Sequence, residues 1–271
     1  MEYGIKIGYF IDRIGLEKSA ELVSKAGFTQ LDYTPAVRKD TWEAEMKEAL
    51  DVFKAYGLSV NQTHAPFNRY GSCKGIHKLC VERCAEATVY MGAKYMVAHA
   101  DEFDFEKMIY SPEAALDYNH KLFLPFVEQA EKSDYKIAFE TVFQDSRPKP
   151  RFTSDATDLM NVIKSFNSES VACCWDSGHA NLAFKKEAPE VARKFGSLIQ
   201  CTHLHDNIGT VDAHQMPLTG AIDWKALMAV FKEFNYSGVL NIELGFGSFP
   251  KYLMPEFIEL NCKALKHIWT L

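Results

Sequence analysis

Residues 171–176 read VACCWD, five uncharged residues followed by an aspartate. A run this short and this continuously apolar is typical of a strand that is covered on both of its faces. Seven further runs of this kind are spaced along the chain. They cover residues 4–10, 30–33, 58–63, 95–99, 136–140, 199–203 and 239–244. We therefore predict eight buried strands.

Amphipathic stretches separate these runs and predict about eight helices. Those that stand out cover residues 16–25, 41–56, 76–91, 112–132, 154–165, 224–234 and 252–268. Strands that alternate with helices form parallel sheets with right-handed crossovers. Eight such units in about 250 residues fit a (β/α)8 TIM barrel. Because no linker divides the chain, we predict an α/β protein with a single barrel domain over residues 1–271. A doubly wound open sheet is the alternative, but no G-x-G-x-x-G follows the first run.

The composition limits the class of protein. Of the 271 residues, 47% are hydrophobic and 24% are charged, as in ordinary globular proteins. No apolar run approaches the roughly 20 residues of a membrane helix, and the first residues do not resemble a signal peptide. Seven cysteines without disulfide-like or zinc-finger spacing indicate a reducing, cytoplasmic setting. A net charge of −6 disfavours a protein that depends mainly on nucleic-acid phosphates.

The ends of the predicted strands carry the reactive residues. In a barrel of this kind, the carboxyl ends of the strands and the loops after them form the active face. Six consecutive strands, the third to the eighth, end in or directly before a histidine, aspartate or glutamate. These residues are His64, His99, Glu140, Asp176, His203 and Glu243. Three more residues of the same types follow shortly after strands, namely His179, Asp212 and His214.

Such a concentration of carboxylates and imidazoles predicts a metal site. Carboxylates that converge at one barrel mouth repel one another unless protons or a divalent cation compensate their charge. We expect the central set to be Glu140, Asp176, His203 and Glu243. Three carboxylates and one imidazole favour Mn²⁺, Mg²⁺ or Co²⁺ and leave Zn²⁺ as the alternative. We also expect only one of His203 and His205 to face the mouth.

Several short motifs, in this order along the chain, resemble the xylose-isomerase-like barrel superfamily. That superfamily contains sugar-phosphate isomerases and epimerases together with endonuclease IV. The matching segments are HAPF at 64–67, VAH at 97–99, FET at 139–141, WDSGHAN at 175–181, THLHDN at 202–207, DAH at 212–214, PLTGAIDW at 217–224 and IE at 242–243.

The resemblance implies particular ligands. It implies one shared metal held by Glu140, Asp176, His203 and Glu243, with His203 chosen because the first histidine of the H-L-x-D pattern is the ligand. His205 is then expected in a supporting or loop position. Endonuclease IV holds three zinc ions with nine residues. The matching positions here are His64, His99, Glu140, Asp176, His179, His203, Asp212, His214 and Glu243, and all nine residue types are present.

We favour a metal-dependent isomerase or epimerase of a sugar, a sugar phosphate or a polyol. The cation would polarise the substrate carbonyl and stabilise an enediolate. By resemblance to ketose 3-epimerases, Glu140 and Glu243 would remove and return the proton, although both could be ligands alone. His64, His99, His179, Asp212 and His214 would bind substrate oxygens or additional metal. The expected partner is a small sugar, with no membrane, and homo-oligomerisation is left open.

Two other functions compete with this hypothesis. The first is an endonuclease IV-like phosphodiesterase that acts on abasic DNA with up to three zinc ions, which the nine-residue set supports and the net charge opposes. The second is a metal-binding barrel without catalysis. The segment RPKPR at 147–151 either holds a phosphate or forms a solvated loop stiffened by proline, and we favour the solvated loop.

Overall fold

The computed structural model describes residues 1–67 and 75–271, and within them it shows eight parallel strands. The strands are β1 (Tyr3–Lys6), β2 (Gln30–Asp32), β3 (Ser59–His64), β4 (Tyr95–Ala98), β5 (Lys136–Glu140), β6 (Val171–Asp176), β7 (Ile199–His203) and β8 (Leu240–Ile242). From β1 to β7 each strand pairs with the next along the chain, and β1 pairs with β8. Leu204 bridges to Ile242 between β7 and β8 and nearly closes the barrel. The prediction of a TIM barrel is confirmed.

The described chain has ten α-helices, of which nine lie between strands and the last follows β8. They are α1 (Gly8–Ile14), α2 (Leu16–Ala26), α3 (Trp42–Ala55), α4 (His77–Met91), α5 (Pro112–Ser133), α6 (Ala156–Ser165), α7 (Ser177–Phe184), α8 (Ala188–Phe195), α9 (Trp224–Glu233) and α10 (Met254–Thr270). None of them combines the length and the apolar character that a bilayer crossing needs. Six cysteines lie among the described residues, and all six are free and buried. The seventh, Cys73, lies outside the described residues.

The predicted strand at 4–10 was too long. The strand ends at Lys6 and α1 begins at Gly8, so Phe10 is a helix residue that is buried against the rings of Phe246 and Phe257. The apolar letters continue past the strand because α1 buries Phe10 as completely as β1 buries Ile5. Apolar content alone cannot separate the two elements.

Two layers of apolar side chains fix the strands. Large residues such as Phe139 and Trp175 point outward into a core shared with the helices. The inner layer consists of small residues, which let β4 to β7 approach closely around the axis. These residues are Val97, Ala138, Ala172, Cys174 and Cys201. The strand ends that carry the predicted site residues follow this inner layer directly, on the side of the barrel mouth.

The last helix belongs to the fold of this chain. The apolar residues of α10 include Ile258, Leu265 and Ile268, which are fully buried. The helix packs against α2 and α9 on the outside of the barrel. These side chains are therefore covered within one chain.

Candidate metal centre at the barrel mouth

Four of the predicted site residues converge at the carboxyl ends of the strands. Glu140, Asp176 and His203 are the last residues of β5, β6 and β7, and Glu243 follows β8 directly. Each residue offers one ligand-type atom, and these atoms all lie within 4.8 Å of one another. All four residues are buried. Successive parallel strands deliver the four side chains to one point, as the barrel geometry predicts.

His203 is oriented by a residue that the sequence analysis missed. Its Nε2 lies 2.8 Å from Oδ2 of Asp32, the buried last residue of β2. Because a carboxylate only accepts hydrogen bonds, Nε2 carries the hydrogen and the lone pair is on Nδ1. This carboxylate–histidine arrangement is the one that typically supports a metal-bound imidazole.

The environment of Nδ1 of His203 fits a cation. This atom is buried without a hydrogen-bond partner. It lies 3.2 Å from Oε1 of Glu140 and 3.1 Å from Oε2 of Glu243. A lone pair that faces two carboxylates is unfavourable unless a proton or a metal ion lies between them. The donor set and this buried atom therefore fit a divalent metal ion.

Three more imidazoles direct Nε2 toward a carboxylate. Nδ1 of His64 and Nδ1 of His179 each lie 2.9 Å from a backbone carbonyl oxygen, and Nδ1 of His214 lies 3.3 Å from another. A carbonyl cannot donate, so each Nδ1 carries a hydrogen, and each Nε2 bears the lone pair of the neutral ring or the second proton of the imidazolium. Nε2 of His64 faces Oε2 of Glu140 at 2.9 Å. The other two Nε2 atoms each lie 3.3 Å from Oδ2 of Asp212.

A second group of ligand-type residues adjoins the first. His179, His205, Asp212 and His214 offer atoms that lie within 4.8 Å of one another. Nε2 of His205 lies 3.0 Å from Oδ1 of Asp176, which belongs to the first group. The two groups thus form one continuous lining of the barrel mouth.

The expectation that only one of His203 and His205 faces the mouth was wrong. Residues two apart on a strand point to the same face, and the chain stays extended past β7 because Leu204 bridges to Ile242. His205 is fully buried and stacks on His214, with ring centroids 3.9 Å apart. Gly178 leaves room for it, since a Cβ at that position would lie 1.9 Å from the His205 ring.

Lys6 is the second residue that sequence reasoning missed. Its Nζ lies 2.7 Å from Oε1 of Glu243, next to the first group. The signal was present, because Lys6 and Asp32 also end strands and are charged. The predicted strands ran past both residues, to positions 10 and 33, and this hid the charged ends.

The electrostatics of the mouth follow from this packing. Burial alone would raise the pKa of Glu140, but the neighbouring His203 and His99 hold it well below its ordinary value. Burial likewise opposes ionisation of Glu243, whose pKa is nevertheless lowered by Lys6 and His203. Burial disfavours the charged form of His203, yet the thiol of Cys174 and the carboxylates of Glu243 and Glu140 raise its pKa well above the ordinary value. Without a metal, the site holds carboxylates and imidazolium ions.

The segment RPKPR does not form a solvated loop throughout, and this corrects the sequence-based preference. Arg151 turns inward and is buried, and its Nε lies 2.5 Å from Oδ2 of the buried Asp101. Arg147 pairs with Asp145 through Nε and Oδ1 at 3.0 Å. Nζ of Lys149 lies over the ring of Phe105. Each cation of the segment is therefore engaged by a neighbour within the chain.

A cavity opens beside the candidate metal centre, above the ends of β1 to β3. Its volume is about 470 Å³. Lys6, Asp32 and His64 form the wall that it shares with the site, and Tyr9 and Phe67 contribute aromatic surface. The mixture of aromatic and charged groups suits a small polar molecule.

The chain belongs to the xylose isomerase-like TIM barrel family, whose model matches residues 20–254. An uncharacterised protein of Methanocaldococcus jannaschii is 25% identical over 252 residues, which cover 90% of this chain and 83% of that protein. A D-tagatose 3-epimerase-like protein is 21% identical, with a TM-score of 0.78 over 100% of this chain and 98% of that one. A structure of the protein IolI with a zinc atom is 18% identical, with a TM-score of 0.76 over 100% and 98% of the two chains.

Proposed function

We propose that the protein is a divalent-metal-dependent isomerase or epimerase of a sugar, a sugar phosphate or a polyol. The observation that carries this proposal is the buried Nδ1 atom of His203, which faces the carboxylates of Glu140 and Glu243. Solved structures of similar fold include a D-tagatose 3-epimerase-like protein and IolI with zinc, which supports this class of reaction.

The proposed ion is held by Glu140, Asp176, His203 and Glu243. When bound, it supplies a Lewis acid for adjacent oxygens of the substrate. Asp32 orients His203 by accepting its Nε2–H. Lys6 neutralises one oxygen of Glu243. The donor set favours Mn²⁺, Mg²⁺ or Co²⁺, with Zn²⁺ as the alternative.

Glu140 and Glu243 are the proposed proton-transfer pair. The lowered pKa values of both carboxyl groups mean that each begins as a base. They reach the centre from β5 and from the end of β8, with His203 between them. One carboxylate removes a proton from a carbon next to the substrate carbonyl and releases it to solvent. The other carboxylate takes up a proton from solvent and delivers it to that carbon. The adjoining cavity of about 470 Å³ accommodates the remainder of the sugar.

A phosphodiesterase that acts on abasic DNA is the second candidate. The observation that favours it is the second group, in which the Nε2 atoms of His179 and His214 both face Oδ2 of Asp212. With His64 and His99 at the mouth as well, the nine residue types of a three-zinc site lie in one region. This function would use up to three zinc ions.

Solvent deuterium exchange separates the two functions. The protein, loaded with Mn²⁺, Mg²⁺, Co²⁺ or Zn²⁺, is incubated in D₂O with a panel of ketoses and their phosphates, and in parallel with abasic duplex DNA. We expect deuterium at a carbon next to the carbonyl. Exchange should fall at least about 10²-fold in Glu140→Gln and Glu243→Gln, with metal content measured alongside. The matched control is Glu259→Gln on the exposed side of α10. Cleavage of the DNA without exchange into any sugar would reject the isomerase.

A further inference from the structure

Among the histidines of the nine-residue set, His99 is the one whose ring faces an arginine. Nε2 of His99 lies 2.9 Å from Oε2 of Glu140. On the other side of its ring, Nδ1 faces Nη2 of Arg151 at 3.4 Å. The histidine is thus placed between a carboxylate and a guanidinium group, and both its neighbours are buried.

The hydrogen-bonding capacity of arginine fixes the tautomer of His99. A guanidinium group only donates, so Nδ1 must be the acceptor and Nε2 must carry the hydrogen. Nε2 therefore donates to Glu140 and has no lone pair with which to bind a metal ion. Ligation through Nε2 would place a hydrogen on Nδ1 directly against the N–H of Arg151.

His64 provides an internal comparison. Its Nε2 lies at the same distance, 2.9 Å, from the same oxygen of Glu140. Its Nδ1 faces a backbone carbonyl instead of an arginine, so Nδ1 carries the hydrogen and Nε2 bears the lone pair of the neutral ring. Two histidines at one carboxylate oxygen thus have opposite tautomers.

Arg151 is itself held in place. Its Nε donates to Asp101 at 2.5 Å, and its backbone N–H donates to Oε1 of Gln144 at 2.7 Å. Arg151 and Asp101 are only 3% and 4% exposed. A buried, charge-paired guanidinium resists reorientation, because moving it would break its buried ion pair with Asp101.

We propose that Arg151 is a positioning residue that keeps His99 a hydrogen-bond donor to Glu140 and thereby excludes a metal ion from the edge formed by His64, His99 and Glu140. The inference rests on the proposed function, since it assigns the metal to the group around His203. It also opposes the three-zinc alternative, which needs His99 as a ligand. Arg151 therefore limits how many metal ions bind at the mouth without contacting any of them.

Nuclear magnetic resonance of protein loaded with cadmium-113 tests this assignment. Histidine side chains are labelled with nitrogen-15, and long-range proton–nitrogen spectra identify which ring nitrogen carries a hydrogen and which couples to the metal. In the wild type we expect Nδ1 of His203 to couple to cadmium. We expect Nε2 of His99 to carry a hydrogen and to show no coupling. Cadmium coupling at Nε2 of His99 in the wild type would overturn the proposal.

Two substitutions of Arg151 then separate its donor role from its bulk. Arg151→Lys keeps the charge opposite Asp101 and remains donor-only, so His99 should stay protonated at Nε2 without coupling. The second substitution is Arg151→Gln, whose side-chain oxygen can accept the Nδ1–H that His99 must carry to bind a metal ion through Nε2. It is introduced with Asp101→Asn so that both members of the buried ion pair lose their charge together. In this double variant we expect coupling at Nε2 of His99 and a rise in bound metal at saturation.

The outcomes distinguish this inference from the proposed function. If the double variant matches the wild type, with no coupling at His99, Arg151 does not control the tautomer and the inference fails. If no metal couples to His203 in the wild type, the proposed metal centre fails whatever the state of His99. Circular dichroism of each variant confirms that the barrel is folded before the spectra are compared.

Discussion

Nζ of Lys6 lies 2.7 Å from Oε1 of Glu243, and this ion pair joins the first strand to the segment after the last one. The lysine helps to keep the pKa of Glu243 below its ordinary value against the opposing effect of burial. It therefore links the closure of the barrel to the charge of a proposed catalytic base.

Removing this charge should shift the pH dependence of the proposed reaction. In Lys6→Met the pKa of Glu243 rises toward its ordinary value, because an opposite charge in contact lowers a carboxyl pKa by about one unit or more. The acidic limb of the kcat/KM profile should move to higher pH by about that amount. Lys6→Arg should retain the wild-type limb, and Lys18→Met on the exposed side of α2 is the surface control. An unmoved limb in Lys6→Met would remove Lys6 from this role.

Asp32→Asn should weaken metal binding although Asp32 is not among the proposed ligands. The amide can present a donor to Nε2 of His203 and so favour the wrong tautomer. Loss of such a supporting carboxylate typically lowers metal affinity by about 10–100-fold. Isothermal titration with Mn²⁺ or Zn²⁺ measures the change, with Asp40→Asn, whose side chain is exposed, as the control. Equal affinities in the two variants would contradict the orienting role of Asp32.

Metal binding should release protons at neutral pH. The pKa of His203 is raised in the metal-free fold, so this proposed ligand carries a proton that it must lose to bind the ion. Metal affinity should therefore fall as the pH is lowered. Titrations in buffers of different ionisation enthalpy give the number of protons released, and a value of zero at pH 7 would contradict the predicted charge state.

The same raised pKa predicts how stability depends on pH. A group with a raised folded-state pKa stabilises the fold fully below its unfolded-state value, about 6.5 for histidine, and this contribution is lost as pH rises through the folded-state pKa. The metal-free protein should therefore lose free energy of unfolding above about pH 6.5, as urea denaturation measures. The metal-loaded protein should be less sensitive, because the ion replaces the proton of His203. A flat profile for the metal-free protein would count against the prediction.

Gly178→Ala should disturb the second group of ligand-type residues. The added Cβ would lie 1.9 Å from Cε1 of His205, whose ring is fully buried and cannot move freely. Overpacking of this kind costs about 1–3 kcal/mol. Urea denaturation measures the loss, and Gly8→Ala is the matched control, since a Cβ there meets nothing within 4 Å. Equal midpoints for the two variants would show that His205 can be displaced without cost.

Sequence reasoning reached the barrel and the four residues of the first group for the same physical reason. The buried runs at 136–140, 171–176 and 199–203 match β5, β6 and β7 to the residue, because each is covered on both faces and ends where the chain meets the mouth. Where a strand is followed at once by a buried helix, as at Phe10, the apolar pattern continues and the end of the strand is lost. That is why Lys6 went unrecognised. Asp32 was missed because the buried Tyr33 directly after it extended the predicted strand by one residue.

Other features lay beyond sequence patterns altogether. The tautomer of His99 depends on Arg151, which is 52 positions away in the chain and sits in a segment that looks solvated. Burial of a long cationic side chain is decided by a partner, here Asp101, whose position only the folded chain defines. The shared orientation of His203 and His205 was available from strand geometry. His205 belongs to the lining of the mouth for that reason.

Asp176 has one further consequence. Its Oδ1 accepts the backbone N–H of His179 at 2.7 Å and so begins α7, while the same carboxylate belongs to the group around His203. One side chain therefore both caps the first turn of α7 and offers a ligand to a cation at the mouth. Amide hydrogen exchange in this turn should slow when a cation binds. The exchange rate of this eight-residue helix would then show whether the mouth holds a cation.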